Sequence, residues 1–350
     1  MDEHPDDVAA ANRPAANIAA SIPAAIAALP RFRLFDEPSP LHPLTRFSAA
    51  LGGGADVWIK REDLLPLAFG GNKLRNLEFL VGAALAEETD ALVTSGRRWS
   101  NHCRLTAAAG AKAGLAVHLV LSGPPVTPPG PNERLDRMLG AIVHVSATDA
   151  RADREALVEE VVGSLRSAGH RPYLVPVGGS GAVGAAGQVL AGLELAAQAR
   201  SLGISPEAVI LPSATGGTQA GVLVGLRLGG LATRLEGIAV ASPPAELVPV
   251  IGRLLEGLEP LTGLRVDPAE IDLDGSHLGR AYGIPTSAAS EAAELLARTE
   301  GILVDPIYTA KALAALIAGV RSGRLTGTVV FWHAGGTPGL FENLAGAAGT

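Results

Sequence analysis

The chain carries a single cysteine, Cys103, in 350 residues. That excludes an intramolecular disulfide and a cysteine-rich zinc site. Aromatic residues are only 4% of the total, so a core has to be packed from Ala, Val and Leu. Basic residues number 28 against 35 acidic ones, for a net charge of −7. With no basic run standing out, nucleic acid is not an expected partner. No apolar stretch reaches transmembrane length, and the opening "MDEHPDDVAA" is acidic. A membrane partner and a secretory leader are therefore not expected, and the expected location is cytoplasmic. Two phosphate-binding signatures are also missing: the Walker loop and the dinucleotide G-x-G-x-x-G.

What is present is a 47% apolar chain long enough for about two domains. Residues 1–29 are rich in Ala and Pro and read as a mobile arm, with a short helix around 17–29. Beyond them, "DALVTS", "AVHLVLSG", "IVHVSA", "RPYLVPVGG", "EAVILPSA", "LEGIAVAS" and "TVVFWHAGG" are short, apolar throughout and closed by Gly, Ser or Pro. Such runs are expected for buried parallel strands. Helical segments such as "REALVEEVVGSLRSAG" and "GQVLAGLELAAQARSLG" alternate with them, which predicts an α/β fold of parallel sheets wound by crossover helices. The Pro-rich residues 122–135 read as a surface loop.

In open α/β sheets ligands bind beyond the carboxyl ends of strands. Three strand-to-helix junctions here have unusual chemistry. "VILPSATGGTQAGVLVGL" places Thr215, Gly216, Gly217 and Thr218 between a strand and a helix. Backbone N–H groups at a helix start, opened by glycine and joined by hydroxyls, suit a phosphate; a Gly-rich cap serving packing alone gives the same pattern. "LVTSGRRWSNHCRLTAAAG" offers Ser100, Asn101 and His102 at another helix start, either as an N-cap or as a carboxylate cradle. "REDLLPLAFGGNKLRNLEFL" sets Lys73 directly after Gly70, Gly71 and Asn72 and directly before an amphipathic helix. With no metal motif and no thiol pair, a lysine at such a junction suggests covalent amine chemistry.

These motifs, with "VPVGGSGAVGAAG" (175–187), "AYGIP" (281–285), "RTEGILVDPIYTAKAL" (298–313) and "WHAGGTPGLF" (332–341), occur in the order found in a known family. From about residue 30 to 344 the chain closely resembles the 1-aminocyclopropane-1-carboxylate deaminase / D-cysteine desulfhydrase family. These are pyridoxal 5'-phosphate enzymes of fold-type II, the tryptophan synthase β-like superfamily. The resemblance implies two open twisted parallel-sheet domains with the cofactor in the interdomain cleft. Residues 30–75 and 178–350 would form the large domain and 76–177 the small one. It also implies a homodimer acting on a small amino acid.

Residue by residue, the resemblance makes Lys73 the lysine that bonds to the cofactor and later moves protons at the substrate. Asn101 matches the asparagine on the cofactor's 3′-oxygen, and Thr215, Gly216, Gly217 and Thr218 match the phosphate cup. Ser100 and the backbone of Asn101 and His102 match the cradle for the substrate carboxylate. Tyr282 and Tyr308 match two tyrosines over the reacting end of the substrate. Thr309 falls near the pyridine nitrogen, and Ala334 and Gly335 border the cofactor.

The implied reaction removes the Cα proton, expels a leaving group from Cβ and ends at a keto acid and ammonia. The deaminase branch opens a cyclopropane ring instead. Glu follows the second tyrosine and Gln follows the Ser-Asn pair in deaminase-type sequences. Here those positions hold Thr309 and His102, as in desulfhydrases. A neutral Thr does not keep the pyridine nitrogen protonated as Glu would. Elimination of a good leaving group needs less of an electron sink, so the balance favours it over ring opening. Departures from the family pattern leave β-replacement or carbon–carbon bond formation open as well. Arg97, Arg98 and Trp99 stand where a small residue, an aliphatic one and Gln are usual. Ala334 replaces a desulfhydrase-type Thr, and Gly181 replaces an Asn. The two arginines suit a larger or more anionic substrate.

Overall fold

The computed structural model describes residues 21–123 and 127–342. Most of the expected N-terminal arm, residues 1–20, lies outside the described residues. Among the described residues ten strands form two sheets. Strands β1 (Leu41–Pro43), β2 (Asp56–Arg61), β7 (Ala208–Ser213), β8 (Arg234–Ala239), β9 (Asp272–Asp274) and β10 (Thr328–His333) make a six-stranded sheet. Its order is β1-β2-β10-β7-β8-β9, and all neighbours are parallel except β1 with β2. Strands β3 (Ala91–Arg97), β4 (Ala116–Ser122), β5 (Ile142–Val145) and β6 (Pro172–Leu174) make a parallel four-stranded sheet ordered β5-β4-β3-β6.

The helices are α1 (Ala24–Ala27), α2 (Thr45–Ala50), α3 (Lys73–Ala86), α4 (Asn101–Ala113), α5 (Pro131–Met138), α6 (Arg151–Ser167), α7 (Ala182–Ser201), α8 (Gly217–Leu228), α9 (Pro244–Thr262), α10 (Ser287–Glu300) and α11 (Thr309–Arg321). The period-two alternation of strand side chains sorts them onto the two faces. Val209, Leu211, Val330 and Trp332 pack with α7, α8 and α9. Their neighbours Ala208, Ile210, Val329 and Phe331 pack with α10 and α11. In the smaller sheet Leu92, Leu119 and Leu121 meet α3 and α4, while Val93 and Val120 meet Val158, Val161 and Val162 of α6. All seven predicted strands are present. The short β1, β2 and β9 were not predicted, because two are three-residue edge strands and β2 carries charge at Lys60 and Arg61.

Two sequence expectations need correction. The helix foreseen at 17–29 is confined, among the described residues, to α1, and Ile26 on it is buried in the core beside α9, so residues 21–29 are not a free arm. The Pro-rich stretch 122–135 is not loop throughout. It turns helical at Pro131, the first helical position, where proline's missing N–H is no loss, and Asn132 and Glu133 are buried.

Helix α3 is fixed by a buried ionic cluster. The Arg75 guanidinium donates to both Glu62 oxygens at 2.6 and 2.7 Å and to Glu194 of α7 at 2.8 and 3.0 Å. Lys60 donates to Glu194, to Gln198 Oε1 at 2.6 Å and to the Ser39 carbonyl at 2.7 Å. Two cations thus face two carboxylates. Burial alone would raise Glu194, but Arg75 and Lys60 hold it down at about 2. A carboxyl depressed below its unfolded value stabilises the fold above that value and loses the contribution as pH falls through the folded one. Glu194→Gln should destabilise the protein by about 3–5 kcal/mol in chemical denaturation at neutral pH, because Lys60 loses its carboxylate partner. The difference between variant and parent should shrink as pH drops from about 4 towards 2.

Candidate active site

Residues following the carboxyl ends of β3, β7, β8 and β10, together with the start of α3, line one cavity of about 720 Å³. Lys73 is the first residue of α3. The turn before it is tight: Gly70 has φ +64°, and a Cβ there would lie 2.1 Å from the Asp63 carbonyl oxygen. Neighbouring Asn72 ties this turn down by donating from its backbone to the Ala334 carbonyl at 3.0 Å and from Nδ2 to Thr218 Oγ1 at 2.8 Å. The lysine loop is therefore bonded directly to the Thr215–Gly216–Gly217–Thr218 junction.

Burial lowers the Lys73 amine to about 8. Among the described residues no carboxylate offsets that cost, and the positive end of α3 acts in the same direction. An amine so placed is still mostly protonated near physiological pH but keeps an appreciable neutral fraction, and that fraction can act as a nucleophile or base.

At the other junction Gly216 adopts φ +79° and precedes α8, which starts at Gly217. A Cβ on Gly216 would come within 2.8 Å of Ile251, and one on Gly217 within 2.7 Å of Ser180 Oγ. Ser180 and Thr215 share a hydroxyl hydrogen bond of 2.6 Å. Helix start, bare backbone and converging hydroxyls form an anion cradle. The Ser213 hydroxyl, which also lines the cavity, is buried without a partner.

Ser100 caps α4 by accepting from the Cys103 N–H at 3.2 Å. Asn101 Oδ1 accepts from Arg104 at 3.1 Å, and Arg104 also donates to the Gly70 carbonyl at 3.1 Å. With its oxygen engaged, the Asn101 amide has its N–H₂ left to donate. Thr94 donates to the Val175 carbonyl, so its oxygen accepts from His102 Nε2 at 3.0 Å. His102 is a neutral ring at physiological pH because burial, and then the Lys73 charge, push it down to about 3.

The Tyr282 and Tyr308 hydroxyls bond to each other, with ring centroids 5.9 Å apart. Burial raises both phenols, so each retains its proton at neutral pH. Asp305 fixes Tyr308 by accepting its backbone N–H at 2.7 Å and that of Thr309 at 3.0 Å. Thr309 Oγ1 donates to the Gly335 carbonyl at 3.0 Å.

Of the residues singled out in the sequence, Lys73, Arg97, Ser100, Asn101, His102, Thr215, Gly216, Thr218, Tyr282, Tyr308, Thr309, Ala334 and Gly335 all line this cavity. Gly217, Arg98 and Trp99 do not. Arg98 is turned away, bonded to Glu133 at 2.7 Å and to the Gly123 carbonyl at 3.1 Å. The Trp99 ring packs on Tyr282 at 5.9 Å between centroids. Sequence reasoning missed Ser180, Arg104 and Asp305. Two of them had a readable signal: Arg104 lies one helical turn from Asn101, and Asp305 is an aspartate in the loop just before α11, a residue type that readily accepts nearby backbone N–H groups.

Titration gives a direct check. In protein stripped of small-molecule ligands, Lys73 Nζ should titrate near pH 8, read by isotope-edited NMR after reductive methylation. Because the folded value lies below the unfolded one, stability should rise with pH between about 8 and 10.

The donor set fits one cofactor class. A cradle for a dianion, a buried amine of lowered basicity linked to it through Asn72, and an amide N–H₂ from Asn101 suit a phosphorylated aldehyde such as pyridoxal phosphate. Comparison with known proteins agrees. Residues 33–335 match the model of the pyridoxal-phosphate dependent enzyme family. A solved structure described as an ACC deaminase homologue is 31% identical, with a TM-score of 0.85, covering 99% of this chain and 98% of its own. Maize serine racemase is 17% identical with a TM-score of 0.62, covering 95% of this chain and 93% of its own. Threonine deaminase isoform 2 from Solanum lycopersicum is 19% identical with a TM-score of 0.62, covering 92% and 85%. The latter two share the fold. The chain has the fold-type II architecture and belongs to the family of pyridoxal-phosphate dependent enzymes.

Proposed function

We propose that this enzyme is a lyase that eliminates a β-substituent from a small amino acid, D-cysteine being the type substrate, and releases a keto acid, ammonia and the leaving group. The observation that carries the reading is the convergence of a neutral-capable Lys73 and the Tyr282–Tyr308 hydroxyl pair on one cavity with an uncharged Thr309. When bound, pyridoxal phosphate supplies an electron sink that acidifies the substrate Cα–H. Thr215, Gly216, Gly217 and Thr218 would hold its phosphate, with Ser180 added to the set, and Asn101 would orient its ring. Ala334 and Gly335 would border it.

The chain's own residues then divide the work. Ser100 and the first backbone N–H groups of α4 orient the substrate carboxylate at the positive end of that helix. Lys73 takes the Cα proton. Tyr308, its phenol proton retained and its backbone pinned by Asp305, gives a proton to the departing group, with Tyr282 as its relay. Thr309 carries no charge where deaminase-type sequences have Glu, which suits a good leaving group better than carbon–carbon cleavage. We also propose a homodimer, for which the exposed Phe69, Met138 and Phe341 offer apolar surface. The domain boundaries at 75/76 and 177/178 belong to the same reading.

A second reading, cyclopropane ring opening, is favoured by the likeness to the ACC deaminase homologue, at 31% identity over nearly the whole of both chains. Product analysis separates the two. With D-cysteine the holoenzyme should release pyruvate and sulfide in equal amounts, and 1-aminocyclopropane-1-carboxylate should give little 2-oxobutanoate. Tyr308→Phe should lower the D-cysteine rate by about 10²–10⁴-fold while the cofactor's visible absorbance is retained. Predominant 2-oxobutanoate formation would replace elimination with ring opening.

A further inference from the structure

Part of the cavity lining has a charge pattern that a small neutral substituent does not use. Arg97 ends β3, and Arg151 and Arg154 lie in the first turn of α6; all three line the cavity. Placing cations at the positive end of a helix is unfavourable unless an anion joins them. Compensation is partial: the same first turn carries Asp153, but its carboxylate is engaged by the Thr148 hydroxyl. Arg151 is largely exposed and bonded to Glu155. Arg97 meets Asp149 at 2.8 Å, but that carboxylate is 54% exposed, so the pair is weak and readily exchanged. Arg154 donates to the Ser122 hydroxyl at 3.1 Å, and its Nε is buried without a partner. In a chain of net charge −7, this cationic cluster runs against the overall balance.

Its position relative to the chemistry is set by a row of contacts. Tyr308 meets Tyr282 at 5.9 Å, Tyr282 meets Trp99 at 5.9 Å, and the Arg97 guanidinium lies 5.8 Å from the centre of the Trp99 ring. The row links the hydroxyl pair to the guanidinium through the Trp99 ring. The substrate carboxylate has a separate place at the start of α4, so the arginines are left for another group.

We propose that the β-substituent of the substrate ends in a second anionic group, a carboxylate, sulfonate or phosphate, held by Arg97 and Arg154 in place of Asp149. This rests on the elimination reading and names the substrate class within it. The Cα proton passes to Lys73, and the Cβ–substituent bond breaks with its electron pair leaving on the substituent. The three-carbon remainder takes up water to give pyruvate and ammonium. The departing group is thus itself an anion-bearing thiol or an oxyanion.

The test uses a matched pair on the holoenzyme: S-carboxymethylcysteine and its neutral isostere S-carbamoylmethylcysteine, each in D and L form. O-Phosphoserine in both forms serves as a third probe, to tell phosphate from carboxylate. Binding is read from the cofactor absorbance and turnover from pyruvate. The charged conjugate should bind at least about tenfold more tightly than the isostere, as expected for charge-assisted arginine contacts. That ratio should fall towards one in Arg97→Gln and in Arg154→Gln, and with rising salt. A charge preference in binding without pyruvate would keep the anion site and overturn elimination. Pyruvate from both conjugates with equal affinity would keep elimination and overturn the anion site. A preference that survives both substitutions would overturn the assignment to Arg97 and Arg154.

Discussion

The site depends on one buried amine at the amino end of a helix, with no carboxylate beside it among the described residues. Lys73 is out of water, and the α3 dipole is set against its charge, so the protein makes the protonated form costly and the neutral form accessible. Such a group is held only if the backbone around it cannot relax. Two residues further on, Arg75 joins Glu62 and Glu194 in the buried ionic cluster that ties α3 to α7 and to the strand carrying Lys60. One residue before, Asn72 bonds to Thr218 and to the Ala334 carbonyl. The charges that are balanced keep in place the one that is not.

The same economy appears on the opposite wall. Tyr308 and Thr309 begin α11, and their N–H groups are received by Asp305 rather than by water. Arg104 spans from Asn101 to the Gly70 carbonyl and so couples the amide at the start of α4 to the lysine turn. Both are positioning residues. They set which atom of a neighbour faces the cavity.

Much of this was legible from the chain. The strands around the site were readable because β3, β4, β7, β8 and β10 are short apolar runs that end in small or polar residues. The Lys73 turn and the Thr215 junction were readable because glycine, lysine and threonine stand where a strand gives way to a helix. The direction of Arg98 was not, since only the tertiary contact with Glu133 turns it away. Nor was the cation cluster of Arg97 with Arg154, which are far apart in sequence and brought together by the packing of α6 on β3 and β4. The helix at Pro131 escaped because its surroundings are rich in proline, and only its position at the first turn makes it compatible with helix.

The central claim is that Lys73 is the residue to which the cofactor is joined. Borohydride reduction of the holoenzyme followed by peptide mass mapping tests it most directly. The cofactor's mass should appear on a single peptide and fragment to Lys73. Its appearance on Lys60, Lys112 or Lys311, or on no lysine while the cofactor stays bound, would contradict the account.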